Sequence, residues 1–338
     1  MSWQRVRGHD TQVQAFDRIV RHGRLGHAYL FTGPSGIGKR LFADELAKAL
    51  LCEAADGQKL EACDHCIACT LVAAGTHPDL FVANRPEESL ELPIEVVREL
   101  CHSLALKPAR GRGKVAILDD ADDLNEAAAN CFLKTLEEPP PRSVLLLVGT
   151  SADRQLSTII SRCQIVPFTP LPQDLVRELL RSQGLEDPSL IDRLARLSGG
   201  SVAQARAFAV PGLWEFRRSL IKSLTQVPLD SVTLAQTWMR FVEEAGKESA
   251  VQRRCAARVL GLLIDFLSAA LAMSVGREPP LAEPEDLQLL EDLVRRTDPE
   301  RLESLLERCL EADAQIDRRV QLVLVLEALV DALGQQLH

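Results

Sequence analysis

The stretch Gly33-Pro-Ser-Gly-Ile-Gly-Lys-Arg40 constrains this chain more than any other, because it requires a strand before it and a helix after it. Gly-x4-Gly-Lys is the pattern of a phosphate-binding loop. Its glycines let the backbone curl until successive N–H groups point inward, and the following helix N-terminus adds positive potential. The flanks comply: Ala28-Tyr-Leu-Phe-Thr32 suits a buried strand, and Leu41–Leu51 is amphipathic. Gly33, Gly36 and Gly38 form the expected cradle, with Lys39 reaching the β- and γ-phosphates of a nucleotide. The next position normally holds Ser or Thr, whose hydroxyl ligates magnesium. Arg40 stands there instead; it offers only donors and a fixed positive charge, so it cannot ligate a cation. Two readings follow: magnesium held by fewer ligands, or nucleotide bound without efficient turnover.

Three more apolar runs lack polar alternation: Asp79–Ala83, Lys114–Leu118 and Ser143–Val148. Such runs suit strands buried on both faces of a parallel sheet. The amphipathic stretches Ile94–Leu106 and Glu126–Leu136 lie between them, so residues 1–168 read as an α/β nucleotide-binding core. The third of the four runs leads into Asp119-Asp120-Ala-Asp122. Asp119 stands where the magnesium-side carboxylate of an ATPase belongs. Asp120 takes the place of the usual water-orienting Glu and is one methylene shorter, enough to weaken water positioning. After the linker Thr169-Pro-Leu-Pro-Gln, about three short helices are expected over 173–208, broken at Gly184 and Gly199-Gly200. From Leu213 onward apolar residues recur at helical spacing, with a break around 277–284.

Four of the nine cysteines, Cys52, Cys63, Cys66 and Cys69, read C-x10-C-x2-C-x2-C. Four thiolates at that spacing predict a closed, structural zinc site, favoured over disulfides in a reducing compartment. The other five are expected to be small buried hydrophobes. No uninterrupted apolar run approaches the roughly 20 residues that a bilayer requires, and the N-terminus has no signal-type segment, so the expectation is a cytoplasmic protein. A net charge of −9 argues against tight DNA binding by the chain alone. The basic stretch Lys107–Lys114 is expected to be a solvated loop rather than a DNA or phosphate contact.

Asn130-Cys-Phe-Leu-Lys-Thr-Leu-Glu-Glu-Pro-Pro140, Leu145–Thr150 and Thr158-Ile-Ile-Ser-Arg-Cys163 resemble the run found in bacterial clamp-loader ATPase subunits, of the AAA+ class. The order of motifs from 25 to 168 matches that family. Within it, Arg40, the Asp119-Asp120 pair and the surroundings of Gly200 look like the delta-prime type of DNA polymerase III subunit rather than gamma/tau. Gamma/tau-type subunits carry a γ-phosphate-sensing arginine three residues after that glycine, where this chain has Ala203, with Arg206 one turn later. The resemblance implies an AAA+ core (1–168) with the zinc insertion (52–69), a helical lid (169–210) and a helical collar (211–338). It implies that Thr150 or Ser151 occupies a nucleotide-sensing position, that Gly8-His9 lies near the adenine, and that ATP or ADP binds without efficient hydrolysis. It also assigns Arg162 a role in trans, projecting into the ATP site of a neighbour. The partners implied are gamma/tau and delta subunits in a hetero-oligomeric ring, the sliding clamp, and primed DNA through the complex. An active gamma/tau-type or other autonomous AAA+ ATPase, and an assembly protein that binds no nucleotide, are the alternatives.

Overall fold

The computed structural model describes residues 2–55, 59–86, 89, 91–225, 229–279 and 284–337. The chain falls into two compact units, Met1–Ala205 and Arg206–His338.

The first unit is built on five parallel strands: β1 (Ala28–Thr32), β2 (Leu80–Ala83), β3 (Lys114–Leu118), β4 (Ser143–Val148) and β5 (Gln164–Pro167). Their order across the sheet is β2-β3-β4-β1-β5. Four of them lie where the apolar runs predict. The fifth has no such signature, because it is a short edge strand whose residues are mostly exposed. Along β1, Tyr29 and Phe31 face one layer while Ala28 and Leu30 face the other. The first layer holds α1 (Asp10–Arg21) and α2 (Lys39–Leu51); the second holds α4 (Ile94–Ala105) and α5 (Glu126–Glu137), with the short α3 (Ile67–Ala73) following the cysteine segment. Burial on both faces explains why these strands lack polar alternation. Only 4% of residues are aromatic, yet Phe42 of α2 packs its ring against Trp3, Phe16, Phe31 and Phe168, at centroid distances of 5.1 to 5.7 Å. That cluster anchors α2 directly behind the phosphate-binding loop.

Asn125 caps α5 by accepting the Ala128 N–H. A short α6 (Ser157–Ile160) precedes β5, and three helices follow it: α7 (Gln173–Ser182), α8 (Pro188–Leu197) and α9 (Val202–Phe208), the last containing the division between the units. The breaks fall at Gly184 and Gly199-Gly200, both glycine sites having positive φ.

The second unit is all-helical, with α10 (Leu213–Leu224), α11 (Ser231–Glu244), α12 (Ser249–Ser274), α13 (Leu287–Arg296), α14 (Pro299–Asp317) and α15 (Leu322–Leu337). The break expected at 277–284 lies partly outside the described residues. Helix α12 revises the expectation that nothing approaches a bilayer span: it is long and apolar enough by length and composition. More than half of its apolar window is buried inside the unit, against α10, α11, α13 and α14, which accounts for its character.

Phe42→Ala is expected to cost the first unit about 3–5 kcal/mol, the range for emptying a fully packed aromatic site. Urea unfolding monitored on that unit measures it, and a loss below about 1 kcal/mol would contradict the packing described here.

Candidate functional site

Hydrogen bonding continues past the strand ends and sets the site. The Gly33 N–H donates to Thr150 O at 2.9 Å, the Asp119 N–H to Ala83 O at 2.8 Å, and the Phe168 N–H to Thr32 O at 2.7 Å. A Cβ on Gly33, whose φ is +143°, would stand 2.3 Å from Phe168 O, so only glycine fits there. With the carboxyl ends of β1, β3 and β4 held level, a cleft of about 370 Å³ opens between them. Gly36, Gly38, Lys39, Arg40, Asp119, Asp120 and Thr150 all line it, as the sequence predicts; Gly33 does not line it but starts the loop at the end of β1. Ligands of open parallel sheets bind at such carboxyl-end crevices. Behind the loop, buried His9 places Nε2 2.8 Å from Ile37 O.

Two cations organise the cleft. Lys39 is almost wholly buried and donates to Gly33 O at 2.6 Å and Pro34 O at 2.7 Å, bracing the loop against itself. Burial lowers its pKa, opposed by Asp122 and Asp119. Arg40 donates from Nη1 to Asp119 Oδ2 at 3.0 Å and from Nε to Asp44 Oδ1 at 3.1 Å. Its guanidinium therefore already occupies the Asp119 carboxylate, the one expected from the sequence on the magnesium side. A divalent ion placed beside it would meet repulsion on the order of several kcal/mol at about 4 Å. Asp44 was not legible as part of the site, although its i,i+4 spacing from Arg40 on one helix is the available signal.

Asp122, which sequence reading leaves without a role, organises the opposite wall. It accepts from the Thr150 N–H at 2.7 Å, the Thr150 Oγ1–H at 2.6 Å and Gln155 Nε2 at 2.6 Å. The Thr150 hydroxyl thus spends its proton inside the protein rather than on a phosphate. Asp120 adopts a left-handed backbone (φ +52°), and its pKa is raised by burial and by neighbouring Asp119 and Asp123. Ala203 lies against the tip of the loop: a Cβ on Gly36 would meet the Ala203 Cβ at 2.5 Å, and the Ala203 N–H points at Gly36 O. A methyl group stands at this position, where it offers no charge to a phosphate.

Arg162 does not line this cleft. It follows α6, half-exposed, with Nη1 donating to Thr158 O at 2.9 Å and Ser161 Oγ at 3.0 Å, and Nη2 paired with Glu137. Glu137, within the Leu-Glu-Glu-Pro-Pro run, is, after Asp44 and Asp122, a third residue that the sequence reading does not assign.

Cys52, Cys63, Cys66 and Cys69 come together with all four sulfurs within 4.8 Å of one another. Metal–sulfur bonds of about 2.3 Å in a tetrahedron require sulfurs about 3.8 Å apart. The separations Cys52–Cys66, 4.0 Å, and Cys63–Cys69, 3.9 Å, fit that edge. Backbone N–H groups of Cys63, Cys66 and Cys69 point at the sulfurs of Cys52, Cys63 and Cys66. At Cys66 burial works upward, but hydrogen bonds prevail and bring its pKa to about 6. Burial pushes the Cys52 and Cys69 thiols up, so it is the sulfur geometry that carries the site. The donor set can therefore hold a metal ion. Cys52 ends α2, and Lys48 of the same helix pairs with Asp64 inside the knuckle, at 2.8 Å. The basic stretch 107–114 is largely exposed chain, as expected, but tethered: Arg110 pairs with Glu53, Arg112 donates to Glu53 O and Ala55 O, and Lys114 is buried in β3. These residues clamp the segment just after Cys52.

Metal analysis of the purified chain is expected to give about one ion per chain, bound by sulfur. Chelation, or Cys69→Ala, is expected to lower the melting midpoint of the first unit by at least several degrees; a metal-free chain with an unaltered midpoint would contradict the site.

A family model described as DNA polymerase III, delta subunit, matches residues 8–172. DNA polymerase III subunit delta' of Pseudomonas aeruginosa is 39% identical over 234 residues, covering 67% of this chain and 70% of that protein. The subunit delta' of Escherichia coli is 30% identical over 299 residues, covering 86% and 84%. The tau subunit of Escherichia coli is 33% identical over 205 residues, which span 59% of this chain and 31% of that longer protein. With the phosphate loop, the parallel sheet and two such relatives matched over most of their length, the chain belongs to the delta-prime subunits of DNA polymerase III.

Proposed function

We propose that this chain works in the clamp-loading complex as a subunit that holds nucleotide without turning it over and lends Arg162 to a neighbouring ATPase. One contrast carries the reading. Inside the phosphate cleft a guanidinium sits on Asp119, whereas Arg162 stands outside the cleft, held at the surface by Glu137. Hydrolysis needs a metal to bridge the phosphates and a group to orient the attacking water. Here Arg40 takes the place of the metal-binding hydroxyl, and the short, left-handed Asp120 takes the place of the longer carboxylate. A positive charge supplied across an interface to the transferring phosphoryl group is worth roughly 10³–10⁵ in rate. The family relationship makes gamma/tau-type ATPases and a delta subunit the ring neighbours, and the sliding clamp the object acted on. A net charge of −9 favours reaching primed DNA through those partners.

Two further assignments belong to this reading. The four sulfurs hold zinc, whose role is structural: a closed sulfur shell leaves no position for substrate. The segment 169–210 serves as the lid and 211–338 as the collar that joins neighbours through heterologous contacts.

The isolated chain is expected to hydrolyse ATP no faster than its Lys39→Ala variant. Brisk, Lys39-dependent turnover would instead favour an autonomous ATPase. In a complex reconstituted with the partner ATPase, Arg162→Ala is expected to slow single-turnover hydrolysis at the facing site by about 10³-fold or more while leaving assembly intact. An unchanged rate in an intact complex rules out the role in trans.

A further inference from the structure

The magnesium ion expected of an ATP site does not fit this one, and the residues that exclude it provide a substitute. We infer that Arg40 is a built-in replacement for the divalent cation, and that this cleft takes a nucleoside diphosphate as the free, metal-less anion. The inference rests on the proposal that the cleft holds nucleotide, and specifies the form of that ligand.

The geometry is that of a cation held between two carboxylates. Arg40 reaches Asp119 Oδ2 through Nη1 and Asp44 Oδ1 through Nε, at 3.0 and 3.1 Å. Two anchors on different elements, β3's end and α2 itself, fix the guanidinium plane at the wall of the cleft. Arginine has five N–H donors, so Nη2 and the second proton on Nη1 stay uncommitted by these pairs and are available to phosphate oxygens. Arginine binds phosphate well because its planar fork matches oxygen pairs and its hydration is weak. The charge is also permanent, so the site does not depend on metal supply. The rest of the cradle is present: the left-handed Gly36 and Gly38, the start of α2, and Lys39, which must turn from Gly33 O and Pro34 O toward the ligand.

Charge balance chooses the ligand. A magnesium ion brings two positive charges to the phosphates, and a guanidinium brings one. The same acidic wall of Asp119, Asp120 and Asp122 remains. A cleft with one positive charge fewer suits an anion with one negative charge fewer, which favours a diphosphate over a triphosphate. The Thr150 hydroxyl, turned to Asp122, and the methyl of Ala203 add nothing for a third phosphate. A nucleotide held this way would make the subunit insensitive to the magnesium-dependent cycle of its neighbours.

Fluorescence titration of the full chain with N-methylanthraniloyl-ADP, in excess magnesium and in EDTA, tests this. The two dissociation constants are expected to agree within about a factor of two, with the triphosphate analogue binding more weakly in both. Arg40→Thr, which restores the hydroxyl and removes the guanidinium, is expected to make binding at least about tenfold tighter in magnesium than in EDTA. Lys39→Ala is expected to abolish binding in both buffers, and circular dichroism melts establish that each variant is folded. Wild-type binding that tightens tenfold or more on adding magnesium overturns the inference, as does a folded Arg40→Thr chain with no metal response. Saturable binding in neither buffer overturns it together with the nucleotide-holding part of the proposed function. The Arg162 experiment, read in the reconstituted complex, is independent of either result.

Discussion

Strand β1 runs between two parallel neighbours, and at its end the backbone of Gly33 is caught between Thr150 and Phe168. Its N–H is satisfied by one of them, and the other leaves no room for a Cβ. From that point the loop can leave only toward α2, so the position of Lys39 and Arg40 follows from the sheet register. The aromatic cluster around Phe42 then holds α2 against the sheet from behind. Removing the ladder would not simply loosen a strand; it would dissolve the alignment of three strand ends on which the cleft depends.

Within that frame the cleft is organised by polar contacts internal to the protein. Lys39 binds its own loop, Arg40 binds Asp119 and Asp44, and Thr150 binds Asp122. Each of these three side chains has a partner in this chain. A paired group costs less to bury than an orphaned one, so the cleft is stable when empty. The same pairing lowers the gain from recruiting a metal. Arg162 has a different status: its partner Glu137 lies at the surface, where exchange of one ion pair for another is inexpensive. An arginine so placed can change partners without opening the core.

The cysteine knuckle connects to this frame at the far end of α2. Cys52 terminates the helix, Lys48 ties it to Asp64 between the knuckle sulfurs, and Arg110 and Arg112 clamp the segment that follows. A helix whose first residues form a phosphate cradle is thereby fixed at its last residue as well. Metal binding free energy acts as folding free energy in such a knuckle, and a metal held here would bear on the helix that carries Lys39 and Arg40.

Patterns of local origin were legible in the sequence. Four strands, the helix after the loop, the glycine breaks at 184 and 199–200 and the spacing of the four cysteines all depend on short-range chemistry or on burial of both sheet faces. So was the loss at Arg40, since a residue type alone decides whether an oxygen is available to a metal. The fifth strand was not legible, because Gln164-Ile-Val-Pro167 takes its conformation from the edge of β1 and not from its own composition. The tethering of the basic stretch 107–114 was not legible for a related reason: Arg110 pairs with Glu53 and Arg112 donates to Glu53 O, more than fifty positions away. The helical recurrence of apolar residues in α12 was legible, but only packing accounts for a helix this long and apolar. Above all, the sequence determined that Arg40 could not bind a cation, while only the tertiary structure decided what it does instead. Asp119 is seventy-nine residues distant in the chain, and the sheet register alone brings the two charges to 3.0 Å.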